Sequence, residues 1–80
     1  MSIVEKPELL KAIGRKIKEV RISKNTTQLE LAVKMVENVG KIDETNISRI
    51  ESGRTNPTVF TLHRIAEALE VKIMDLVAID

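Results

Sequence analysis

Ile47-Ser48-Arg49-Ile50-Glu51-Ser52-Gly53-Arg54, read with Thr27-Gln28-Leu29-Glu30-Leu31-Ala32 some twenty residues earlier, decides the fold. Each stretch is a helix terminus with an amphipathic turn attached. Thr27 and Glu30 have capping-box spacing: a hydroxyl for the amide three residues on, and a carboxylate reaching back. Gly53 stands where a short helix must end in a left-handed residue.

Working outward, Pro7 suits a first helical turn, where its missing amide costs nothing. Leu9, Leu10, Ile13, Ile17 and Val20 recur at three- and four-residue spacing, which predicts a first helix over 7–24 with Asn25 as a left-handed stop. A second helix starts after Thr27, turns Leu31, Ala32, Met35 and Val36 inward, and ends before Gly40. Asp43 caps a third helix with Ile47 and Ile50 buried. Asn56-Pro57-Thr58 is a loop followed by another cap. The fourth helix carries Leu62, Ile65, Ala66 and Leu69, and a short fifth carries Ile73, Leu76 and Val77. No useful alternating pattern interrupts this, so the expected fold is all-α, five helices on one core. We read 1–80 as a single domain with its core over about 9–78.

Composition narrows the function. A chain of 80 residues buries only about 60% of its unfolded surface, which favours pairing with a copy of itself. There is no cysteine, hence no disulfide or thiolate zinc site. No apolar run approaches the ~20 residues of a membrane span, and Met1-Ser2-Ile3-Val4-Glu5-Lys6 lacks a signal-peptide core. A cytoplasmic protein is expected. The net charge is +1, low for a nucleic-acid binder, but unevenly spread: residues 1–24 hold seven Lys/Arg against three Asp/Glu. Lys11, Arg15, Lys16, Lys18 and Lys24 therefore read either as a solvated helix face or as part of a phosphate-facing surface. An enzyme is not expected. Asp43 and Glu44 are adjacent and diverge on a helix, and the three glycines form no phosphate loop. The single histidine, His63, falls on the outer side of the fourth helix without partners for a metal. No cofactor, metal or small-molecule ligand is expected.

Two short helices, close together and polar on one side, fit a helix-turn-helix that reads DNA. The chain resembles the phage-repressor/Cro (XRE-like) helix-turn-helix family over about Ile13 to Val77. The resemblance is carried in order by Ile17-Lys18-Glu19-Val20-Arg21, Thr27-Gln28-Leu29-Glu30-Leu31-Ala32, Ile47-Ser48-Arg49-Ile50-Glu51-Ser52-Gly53, Asn56-Pro57-Thr58 and Leu62-His63-Arg64-Ile65-Ala66-Glu67-Ala68-Leu69. It departs between the second and third helices. Thr27 to Asp43 is 16 residues, longer than the family's usual passage, and is expected to add about a turn to the second helix and lengthen the turn.

The resemblance implies that the third helix lies in the major groove with Glu44, Thr45, Asn46 and Arg49 toward base edges. The residue chemistry agrees with that. Arg49 can bond guanine O6 and N7, Asn46 adenine N6 and N7, Thr45 a thymine methyl, and Glu44 can only accept, as from cytosine N4. Read without the resemblance, all four are the solvent face of a short helix. Gln28, Arg54 and Asn56 are implied as phosphate contacts, with Lys41 and Arg15 as weaker candidates. Arg21 and Glu51 are implied as a structural ion pair holding the third helix to the first. Phe60, the only aromatic residue, packs either on the second helix or at a dimer contact.

The expected function is a sequence-specific DNA-binding transcriptional regulator. Double-stranded DNA is its partner, read at a two-fold symmetric operator by a homodimer formed through helix 5 and the end of helix 4. Val71, Ile73, Met74, Val77 and Ile79 outnumber what a small core needs there. The chain ends soon after helix 5, so no ligand-sensing domain is expected. Two alternatives stay open: a protein-interaction module on the same fold, antitoxin-like or adaptor, and a regulator of a restriction–modification system.

Overall fold

The computed structural model describes residues 6–36 and 43–79. Among these the chain forms five helices: α1 (Lys6–Ser23), α2 (Gln28–Val36), α3 (Glu44–Glu51), α4 (Val59–Leu69) and α5 (Ile73–Val77). Among the described residues the fold is all-α.

Side-chain caps fix the helix starts. The Thr27 hydroxyl accepts from the Glu30 amide at 3.0 Å while the Glu30 carboxylate accepts from the Thr27 amide at 2.9 Å, a closed capping box. Asp43 accepts from the Asn46 amide and Thr58 from the Thr61 amide, both at 3.0 Å. Three helix ends share one device. Asn25 (φ 52), Gly53 (φ 76) and Glu70 (φ 59) are left-handed. In each, the following amide bonds back to the carbonyl five residues earlier: Thr26 to Arg21, Arg54 to Arg49 and Val71 to Ala66. Glu70 carries no sequence signal for this, since a side chain there costs ~1–2 kcal/mol that glycine would not.

Ile17, Leu31, Met35, Ile47, Ile65 and Leu76 are fully buried, ringed by Ala32, Ile50, Leu62, Ala66 and Leu69. Two positions expected on inward faces differ. Leu9 is 36% exposed because the first turn of α1 lies at the surface outside this cluster, and Val77 is 37% exposed on α5. The Val36 side chain and the end of the second helix near Gly40 lie outside the described residues, as does the added turn. α1 packs on α3 and α5, α2 on α3 and α4, and α4 on α5. The α1–α3 crossing is backbone against backbone. A Cβ on Gly14 would collide with the carbonyl oxygens of Ile50 and Glu51.

Candidate nucleic-acid interface

α3 divides cleanly into two faces. Ile47, Ile50 and Glu51 are buried. Glu44, Thr45, Ser48 and Arg49 are exposed, and Asn46 is half-buried. Ser48 was not singled out from the sequence, although it follows Glu44 and Thr45 by one turn on the same face. The signal that could have found it is the four- and three-residue spacing.

What holds this helix is a buried polar junction. The Arg21 guanidinium forks onto the Glu51 carboxylate, Nε to Oε2 at 2.6 Å and Nη2 to Oε1 at 3.0 Å. Its Nη1 donates to the Thr26 carbonyl at 2.9 Å. Gln28 Nε2 adds a bond to Glu51 Oε1 at 3.0 Å. One carboxylate thus ties α1, the start of α2 and the end of α3 together, with Arg21 and Glu51 only 8% and 7% exposed. Gln28 has two amide hydrogens. One is used on Glu51, which leaves the other, and the free amides opening α2, for an outside acceptor.

Asn46 and Asn56 meet across an open notch of about 260 Å³ between α3 and the start of α4, shared with Ile50, Thr55, Pro57, Thr58 and Thr61. Arg54 follows directly on the Gly53 turn and is exposed, as is Asn56. Lys41 lies outside the described residues. Arg15 lies beside Ala78 and Ile79, past the end of α5.

Arg64 received no assignment from the sequence, yet it is 7% exposed. Its Nη2 donates to the Met35 carbonyl in the last turn of α2 at 2.7 Å. The half-exposed Phe60 ring lies 5.7 Å from its guanidinium carbon. Phe60 therefore lies against Arg64, one turn on in the same helix. His63 is exposed, 3.5 Å from Glu67 one turn on. Glu30 has a displaced titration. The Thr27 amide, then the Thr27 hydroxyl, hold its carboxyl below the usual range, with Lys34 adding a favourable charge. Among the described residues no group of His, Asp and Glu could hold a metal ion. No described helix is long and apolar enough to cross a membrane.

α3 thus has a polar outer face, and its far end is locked to the two preceding helices. A family model described as helix-turn-helix matches residues 17–76. The chain belongs to the XRE-type helix-turn-helix family. A protein of Sinorhizobium fredii, the uncharacterized HTH-type transcriptional regulator y4dJ, is 36% identical over 70 residues, 88% of this chain and 84% of that protein. In fold the chain is similar to the restriction-modification controller protein C.AhdI from Aeromonas hydrophila (TM-score 0.75, 24% identity, 84% of this chain and 94% of that one). It is also similar to the clp gene regulator ClgR from C. glutamicum (TM-score 0.79, 24% identity, 88% and 83%). This helix-turn-helix protein is a DNA-binding transcription regulator, a non-enzyme class.

Proposed function

We propose that the protein binds a two-fold symmetric operator as a homodimer, laying α3 of each copy in successive major grooves about 34 Å apart. The observation that carries this reading is the exposed polar face of α3, with Glu44, Thr45 and Arg49 outward on a helix whose other side is wholly buried. In this arrangement Arg49, Asn46, Thr45 and Glu44 meet base edges, while Gln28, Arg54, Asn56 and Lys41 meet phosphates that set register. Glu44 discriminates as much by repulsion as by contact, since a carboxylate close to the backbone tolerates few sequences. Support for a dimer comes from α5, where Met74 is 69% and Val77 37% exposed. Two apolar side chains on a five-residue helix are poorly placed in water. The whole of 1–80 serves as one DNA-binding domain in this reading.

The test is anisotropy and sequencing with a pool of random duplexes across a salt series. A recovered two-fold symmetric motif, with affinity falling steeply as salt rises, is the expected result. Arg49→Ala should relax the preference at one base pair and cost ~1–3 kcal/mol. A strict monomer at high micromolar concentration, or no enrichment at low salt, overturns the proposal. The second outcome would favour an interaction role through the exposed Leu29 and Val33 on α2 or through α5.

A further inference from the structure

α2 is held at both ends by a buried guanidinium. Arg21 donates to the Thr26 carbonyl just ahead of it, and Arg64 donates to the Met35 carbonyl in its last turn. The second guanidinium comes from α4, 29 residues downstream. Among the described residues, the acid paired with Arg64 is Glu67, 3.8 Å away and 58% exposed in its side chain. So the guanidinium is positioned chiefly by a backbone carbonyl on one side and the Phe60 ring on the other, both directional contacts. α2, whose carbonyl it grips, packs on α3 as well as on α4.

We infer that Arg64 is a positioning residue for DNA recognition. Through the Met35 carbonyl it fixes α2 against α4, and because α3 packs on α2 it sets the frame in which α3 meets DNA; Phe60 keeps it in place. The inference rests on the reading of α3 as the recognition helix.

The test uses the full chain with Arg64→Met, Arg64→Lys and Phe60→Ala, and Arg49→Ala as the control for α3. All binding is measured well below each variant's Tm, with the duplex selected by the wild type and with a scrambled duplex. Arg64→Met should lower the specific-to-scrambled affinity ratio about ten-fold. Arg64→Lys, which restores a donor without the planar stack, should recover part of it. In the DNA-free protein the NMR amide shifts of Glu44, Thr45 and Asn46 should move with the same ranking. A merely structural arginine would lower Tm and leave both the ratio and those shifts at their wild-type values in the folded variants. That result overturns the inference. If Arg64→Met does not fold, Arg64→Lys and Phe60→Ala carry the same comparison. A wild type without any sequence preference sinks the α3 reading and this inference together. A preference lost in Arg49→Ala but intact in the folded Arg64 variants sinks this inference alone.

Discussion

The two buried arginines solve one problem differently. Arg21 sits opposite a buried carboxylate that also takes a bond from Gln28, so its charge is matched and its fork is filled. Among the described residues Arg64 has a backbone carbonyl, an aromatic face and one exposed acid at 3.8 Å. The first arrangement is an ion pair whose halves depend on each other. The second, among the described residues, is a cation held chiefly by neutral groups, and losing it leaves a neutral carbonyl without that donor. Stability should therefore be concentrated at the first junction, while the second governs geometry at lower energetic stake.

The largest effect should come from breaking the first junction. Glu51→Gln strands a buried guanidinium, and removing one partner of such a pair costs ~3–5 kcal/mol, seen as a lowered urea midpoint at unchanged m. Neutralising both partners, with Arg21→Met added, should recover part of that loss, because the stranded charge is gone. Equal damage from the single and double variants would mean that packing, not charge, matters there. Arg64→Met comes next. It leaves the neutral Met35 carbonyl without this donor and should cost ~1–3 kcal/mol. A loss as large as that of Glu51→Gln would erase the distinction between the two sites. Phe60→Ala should cost about 0.5–1 kcal/mol in the wild type and nothing further in Arg64→Met, where no cation remains to stack.

The smallest effect is at the surface capping box that opens α2. The Glu30 carboxyl is held low in the folded chain, so its stabilisation is present above the ordinary glutamate range and fades as pH falls through the lowered folded value. Glu30→Gln should flatten that part of the acid-side stability profile by lowering the midpoint slightly at neutral pH and not in acid. A neutral-pH loss comparable to that of Arg64→Met would show the start of α2 to matter as much as its end.

Most of this architecture was legible because helix ends announce themselves locally. Thr27, Glu30, Asp43 and Gly53 act within four residues of where they stand, and each has the expected capping or left-handed geometry. Family membership was legible in the order of the motifs. What escaped was contact with backbone. Arg64 reads as a solvated charge because its partner is a carbonyl, and every residue has one. Gly14 reads as a weak point in a helix because nothing in its neighbours reveals that two backbones touch there. Leu9 lies on the apolar stripe of α1, yet periodicity says which side faces inward and not how far along the core extends.

With α3 as the recognition helix proposed above, the Gly14 crossing bears on how the protein would read different sequences. With the α1 backbone seated on the Ile50 and Glu51 carbonyls, the far end of α3 has no slack, and any adjustment on DNA must swing the helix about that end. An eight-residue helix is about 12 Å long, so a 10° swing carries its tip about 2 Å, enough to make or lose a hydrogen bond. Arg49, near the pivot, would hold its base pair strictly. Glu44 and Thr45, at the tip, would accommodate variation, so an operator logo should be sharp on one side of each half-site and blurred on the other.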